Sequence, residues 1–510
     1  MQRTLRQSRQ SGALNLSARD LKDVPKAVFF PNMHMESDEQ HWECRDLVKL
    51  DLSYNDLVAV PADVEQLQAL TWLKLKQNQL TDIPPQLASL TSLVYLDLSK
   101  YDYPFHLYQS VSWCDLFIPA TSCMKPPHLT KLRSVSVQQN LLETLPPLSS
   151  LVLLETLDVS KNKLAAMPAL DALRRLKSVD LRHNRLDDLP TLPSTLTMLF
   201  AGHNRLRDLP QLERLAPALT VLDVRCNQLD ALPPSIASLD FLTSLDVSNN
   251  NLSDLPPGRS TIDPLLSSSL AAENNYLTSL PVDIAELPRL QALRVQKNRL
   301  TDAALAAVVH ITAPIRYTLV ELDVRNNNLT KVPPGLSAFQ LLDTLLVSFN
   351  QITALDGVHW ANMTKLTSCL ASNNRIPIEL GQTVHLRLVN IQGNPQRHIR
   401  SSVVQRGPHA VLQHLQQVAE KPVDLTRAPA KRPLDQSPSA TWQSDDESPP
   451  STKRRATEDS NVLIPVETKS LAQQIEAAEA EMDGFGVSSA RLAALKKELA
   501  NLRKQQAQHE

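Results

Sequence analysis

Apolar residues recur along this chain in one frame. In LTSLDVSNNNL (242–252), leucines stand at Leu242 and Leu245, an aspartate separates Leu245 from Val247, and Asn250 precedes Leu252. The frame, LxxLxLxxNxL, returns with its asparagine at Asn55, Asn78, Asn140, Asn162, Asn184, Asn204, Asn227, Asn250, Asn275, Asn298, Asn327, Asn350, Asn374 and Asn394. Most steps run 20–25 residues, as in the 22 from Asn162 to Asn184. Two further units lack the asparagine: LNLSARDL has Arg19 in its place, and LVYLDLSKYDY has Tyr101. A period of this length marks a stacked array of units that cannot bury their apolar faces alone. The pattern therefore predicts about sixteen units.

Each unit reads in physical terms. The alternating pair, such as Leu245 and Val247, predicts a short strand whose inward side chains fill a continuous core. Stacked units place these strands in parallel along a concave sheet. Asparagine carries both donors and an acceptor, so it can satisfy backbone groups where the chain leaves the strand, and successive asparagines form a ladder. The Leu-Pro that usually follows, as at Leu255-Pro256, supplies a core residue and then a fixed φ. Return segments such as PPQLASL (84–90) predict short helical turns on the outer side.

The pattern is interrupted in places. Residues 31–46 and 100–128 read as insertions, and 301–317 as a longer return whose alanine-rich start favours a helix. The array proper covers 14–396. Residues 1–13 are too polar to cover an end and are expected to be flexible. At the other end, 397–420 predicts a cap helix opened at Pro408, with Val411, Leu412, Leu415 and Val418 on one face. The tail divides in two. Residues 421–466, rich in Pro, Ser and charge, are expected to be a disordered linker. Residues 467–510 restore helical spacing, with Leu471, Ile475, Ala478 and Met482 and then Leu492, Leu495, Leu499 and Leu502. That spacing predicts a helical hairpin or coiled coil that needs a partner, such as a second copy of the chain.

Composition narrows the function. A net charge of −2 over 510 residues gives no general field for nucleic acid or an acidic membrane surface. No apolar run reaches the length of a membrane span. The five cysteines, Cys44, Cys114, Cys123, Cys226 and Cys369, are odd in number and scattered, which fits a reducing compartment. The N-terminal MQRTLRQSRQ is basic and loosely like a transit peptide, but it lacks an apolar stretch. The expected location is cytoplasmic, or nuclear through the basic runs Lys431-Arg432 and Lys453-Arg454-Arg455.

Candidate chemistry follows from departures. The outward residue of each strand is aspartate in seven units, which reads as a solvating stripe. One unit, LTMLFAGHNRL, has Phe200 there. With Met198 on its own strand and Val221 on the next, Phe200 should form an apolar island on the concave wall, rimmed by Asp180, Arg182, Asp223 and Arg225. Leu346, Leu370 and Leu388 form a second apolar set. His183, His203 and Cys226 share a column and should stack within ligand distance of a zinc, but the column varies freely elsewhere, so a coincidental stack is expected. His106, Cys114, Cys123 and His128 share an insertion but lack CxxC-like spacing. No phosphate loop, nucleophile elbow or HExxH appears. Neither a metal nor a cofactor is expected, and no catalytic residue. In the tail, Thr457, Ser444, Ser437 and Ser448 lie in kinase-like contexts.

These residues resemble the intracellular leucine-rich repeat proteins of the typical 22–23-residue class, with the Ras-associated cytosolic repeat proteins among the relatives. SGALNLSARDLKDVP (11–25) is similar to the opening unit of the leucine-rich repeat-containing protein 40 family. GNPQRHIR (393–400) with AVLQHLQQ (410–417) is similar to its closing cap. The resemblance implies an α/β horseshoe solenoid and a non-enzymatic scaffold that binds a protein partner on the concave face. An alternative is a regulatory adaptor in small-GTPase or phosphatase signalling, switched by phosphorylation of the tail. A third reading, a ubiquitin-ligase-like enzyme, needs a cysteine beyond the repeats, and every cysteine here lies at or before Cys369.

Overall fold

The computed structural model describes residues 2–30, 45–81, 83–100, 129–209, 218–239, 241–257, 268–353, 358–374, 386–394 and 399–419. Contacts group residues 1–426 as one unit, and the described residues all lie within it. The expected insertions at 31–46 and 100–128 fall mostly outside them. The linker 421–466 and the helical segment 467–510 fall wholly outside.

Among the described residues, sixteen three-residue strands form one parallel sheet in strict chain order. They are β1 (Ala13–Asn15), β2 (Lys49–Asp51), β3 (Trp72–Lys74), β4 (Tyr95–Asp97), β5 (Ser134–Ser136), β6 (Thr156–Asp158), β7 (Ser178–Asp180) and β8 (Met198–Phe200). The series continues with β9 (Val221–Asp223), β10 (Ser244–Asp246), β11 (Ser269–Ala271), β12 (Ala292–Arg294), β13 (Glu321–Asp323), β14 (Thr344–Leu346), β15 (Ser368–Leu370) and β16 (Leu388–Asn390). Neighbours pair without offset, so middle residues such as Leu73, Leu199 and Leu322 stack in one buried row. The first and third residues of each strand face the inner wall.

Asparagine holds the units together. Asn184 Nδ2 donates to the carbonyls of Leu181 and, one unit earlier, Val159, both at 3.0 Å, while its Oδ1 accepts from the Leu164 N–H at 3.1 Å. Asn78 repeats the arrangement with Leu75, Leu52 and Leu57. The residue before the ladder asparagine is bent into the left-handed region in unit after unit, with φ of 56° at His183, 57° at His203 and 53° at Cys226. A side chain bearing Cβ resists that conformation by about 1 kcal/mol or more. The buried asparagine bonds, each worth about 1 kcal/mol, offset it.

The recurring aspartate also has a local task. All seven, Asp51, Asp97, Asp158, Asp180, Asp223, Asp246 and Asp323, accept the backbone N–H two residues on. The stripe is therefore more than solvation: each carboxylate closes a turn at the end of its strand. On the outer side, return segments form 3₁₀ turns after proline, as at Pro85–Ser89 and Pro234–Ser238.

The N-terminus differs from expectation, and the C-terminal cap gains a short helix ahead of the one expected at Pro408. Residues 2–11 are not flexible but form helix α1 (Gln2–Ser11), with Leu5 buried. Its end is fixed by Gly12 at φ 71°, whose N–H bonds the Ser8 carbonyl and whose carbonyl accepts from Val48 N–H. Leu5, Ser8 and Arg9 are all buried there, Arg9 with part of its guanidinium as well as its stem. The long return contains helix α2 (Asp302–Val308), followed by a 3₁₀ turn at Pro314–Tyr317, so the helix is shorter than the segment that houses it. The C-terminal cap is two helices, α3 (Ser401–Gln405) and α4 (Pro408–Ala419). Val411, Leu412 and Leu415 are buried against the array.

Candidate functional site

The inner wall at β7–β9 carries the departure from the aspartate rule. Register sets Met198 between Ser178 and Val221, and Phe200 between Asp180 and Asp223. Met198, Phe200 and Val221 are half-buried, whereas Leu199 behind them is wholly enclosed. The phenylalanine ring is therefore on the wall and not in the core.

Its neighbours are arranged around it. Arg182 lays its guanidinium over the ring, 5.1 Å from the centroid. The fork is held by Asp180: Nε donates at 3.0 Å to Oδ1 and an Nη at 2.6 Å to Oδ2. That bond raises the Arg182 pKa further. A cation fixed over an aromatic face in this way is worth about 1 kcal/mol. Arg225 is held more loosely, 3.6 Å from Asp223 and 3.8 Å from Asp246. Burial pushes the Asp223 carboxyl up, partly countered by Arg225.

Glycine answers the phenylalanine. Phe200 has no oxygen to accept the N–H two residues on, and that residue is Gly202. A Cβ there would stand 3.0 Å from both Arg225 Cγ and Asp223 Oδ1. The absent side chain thus makes room for the neighbouring unit's pair. Gly202 was open to view in the sequence as the glycine of that column, but it gains meaning only once the register is known.

The other candidate residues are placed as follows. His183 and His203 stack face to face, with centroids 4.0 Å apart. Desolvation, then His203 and nearby cations, lowers the His183 pKa to about 4, and His203 moves down for similar reasons. Burial pushes the neighbouring Cys226 thiol up. Among the described residues no group of three or more His, Cys, Asp or Glu is placed to hold a metal. Leu346 and Leu370 are register neighbours, and Leu388, 45% exposed, pairs with Ser368. Thr457, Ser444, Ser437 and Ser448, the basic runs of the tail, and His106, Cys114, Cys123 and His128 lie outside the described residues. Among the described residues no helix is long and apolar enough to cross a membrane.

A second feature was not picked out from the sequence. Trp72 and Tyr95 stack on the inner wall at 5.1 Å, their planes within 16°. They occupy the first outward column, where the serine or threonine of many other units stands. The signal was present, one column away from the one followed. Burial and the adjacent Asp97, to which the hydroxyl donates, push the Tyr95 phenol up to about 12.

Known proteins share this architecture. Residues 45–100 match the Leucine rich repeat family, as do 241–259 and 318–339 by a second, shorter description of it. Over 125 residues the chain is 33% identical to the protein phosphatase 1 regulatory inhibitor subunit PPP1R7 homolog of Arabidopsis thaliana, covering 24% of this chain and 37% of that protein. Over 111 residues it is 31% identical to the geranylgeranyl transferase type-2 subunit alpha of Rattus norvegicus, 21% of this chain and 19% of the other. The chain thus spans well under half of either relative. A leucine-rich repeat protein of Leptospira interrogans superposes with a TM-score of 0.58 at 23% identity, over 79% of this chain and 95% of that one. The repeat ectodomain of the Arabidopsis thaliana receptor kinase GASSHO1/SCHENGEN3, solved in complex with CASPARIAN STRIP INTEGRITY FACTOR 2, gives 0.51 at 25% identity, over 75% and 47%.

Proposed function

Since the chain is a leucine-rich repeat protein, we propose that it acts as a non-enzymatic scaffold that binds a protein partner on the concave wall at β7–β9. Repeat solenoids of this kind are interaction modules whose concave surface offers a long, rigid platform. The observation that carries the proposal is the paired departure at Phe200 and Gly202. Seven units keep an aspartate that closes its turn, whereas this unit gives up that bond for an aromatic ring on the surface. Met198 and Val221 extend the apolar area, and Arg182, Asp180, Arg225 and Asp223 supply a polar rim. An apolar centre within charged surroundings is what a binding hot spot requires.

A second reading is that the partner is a phosphatase, with phosphorylation of the tail residues Thr457, Ser444, Ser437 and Ser448 as a switch. The similarity to a phosphatase regulatory subunit supports it over the small-GTPase alternative. One experiment addresses both readings. Affinity capture from cell extract with the wild-type chain and with Phe200→Asp should recover a partner that the variant loses, with thermal melting nearly unchanged. Equal recovery by both would remove the hot spot. Probing the same eluates for a phosphatase catalytic subunit decides the second reading.

A further inference from the structure

The wall at β2–β4 has a chemistry of its own. Trp72 and Tyr95 are stacked and half-buried, and four lysines surround them: Lys49 beside Trp72 in register, Lys74 on the same strand, and Lys76 and Lys100 beyond the strand ends. Lys76 also lies over the Tyr54 ring at 6.0 Å. Lys49 and Lys74 have no ion pair among the described residues. Two carboxylates stand between these cations, but each is already engaged. Asp51 accepts from the backbone and hydroxyl of Ser53, and Asp97 from those of Ser99 and the phenol of Tyr95.

We propose that β2–β4 form a second docking surface, for an extended acidic peptide that carries an aromatic ring. The lysines supply charge to its carboxylates, and the Trp72–Tyr95 pair supplies an apolar platform for its ring. Asp51, partly exposed, keeps lone pairs to which a peptide's backbone N–H groups can donate, whereas Asp97 is buried. A DNA backbone has no donor to set against repulsion from Asp51, whereas a peptide has its N–H groups. Rings already stacked on one another would also have to part before a base could enter between them. This surface lies four strands from Phe200, and the proposal does not depend on the reading of that residue.

The repeat itself supplies substitutions that keep the fold. Serine occupies the Trp72 column in five units, Ser134, Ser178, Ser244, Ser269 and Ser368, and aspartate occupies the Lys74 column in seven. A labelled random copolymer of glutamate and tyrosine is the probe, read by fluorescence anisotropy against the full chain. The wild-type chain should bind it, and added salt should weaken the complex. Lys49→Ser with Lys74→Asp should weaken binding about tenfold or more, and Trp72→Ser about fivefold. No binding by the wild-type chain would overturn the proposal, because something else then covers the platform. Equal binding by the lysine variant would also overturn it, as would tighter binding of single-stranded oligo(dT) that displaces the copolymer.

Discussion

Two stretches of one inner wall carry positive charge in opposite ways. From β7 to β13 four arginines of this wall each have a carboxylate in place. Arg182 is forked onto Asp180, Arg325 onto Asp323 and Arg294 onto Glu321, each with a contact of 2.6 Å, and Arg225 sits between Asp223 and Asp246. From β2 to β4 the cations are lysines, two of them without an ion pair among the described residues, near stacked rings. The backbone beneath is the same. At Arg182 and Arg325 an arginine two places after the strand's aspartate folds back onto it, whereas Ser53 and Ser99 take that place at β2 and β4, and Lys49 and Lys74 stand on the strands themselves. A planar fork is suited to that bidentate closure, and an ammonium is not. Charge of one sign can thus be spent on rigidity at one end of a wall and left available at the other.

The comparison assumes a common frame, and cutting that frame gives the largest effect. Asn184→Ala removes two donated bonds and one accepted bond from a buried site, and Asn78→Ala removes the corresponding three. Each should destabilise by about 2–4 kcal/mol in urea unfolding, the sum of a few buried bonds of about 1 kcal/mol each. The two losses should agree with one another although the surfaces above them differ. A much smaller loss at Asn78 would mean that the lysine end is held by something other than the ladder.

A smaller change should convert one surface toward the other. Asp180→Asn keeps an oxygen that can accept the Arg182 N–H but removes the charge that holds the guanidinium. Stability should fall by less than about 1 kcal/mol, as expected for a partly exposed pair. The released cation should then give the wall at β7–β8 measurable affinity for the glutamate–tyrosine copolymer. If the variant gains none, even with Lys49→Ser and Lys74→Asp in the background to silence the other site, pairing is not what keeps this wall from anions.

The frame was legible in the sequence, and the surface only in part. The period, the inward leucines and the asparagines follow from residue type and spacing, because each ladder position admits few side chains. Phe200 stood out as an aromatic ring in a column where aspartate recurs in seven units. Arg182 was read as a rim residue, whereas it covers the ring, since a fork onto Asp180 depends on a rotamer that spacing does not specify. Trp72 and Tyr95 went unnoticed because their column tolerates many residues, so that no departure registers until both are seen side by side. Helix α1 was missed for a related reason. Its burial rests on Leu5 with Ser8 and Arg9, which a count of polar residues discards.

The smallest effect separates the two stretches by pH. His183 lies only in the arginine stretch, stacked on His203 and near Arg182, Arg225 and Lys161, and its pKa falls from the usual 6.5 to about 4. The folded state therefore favours the neutral ring. A group depressed in this way contributes its full stability above the unfolded value of 6.5, and loses it as pH falls toward 4. Because the ring is partly exposed, solvent screening keeps the loss modest. His183→Asn, the residue that Asn249, Asn274 and Asn326 already place at this left-handed position, should flatten the decline in urea midpoint between pH 6.5 and about 4. Copolymer binding at β2–β4 should keep the same histidine-independent profile in wild type and variant. A midpoint that declines equally in both chains would show that neighbouring carboxylates, and not the stacked rings, govern the acid sensitivity of this wall.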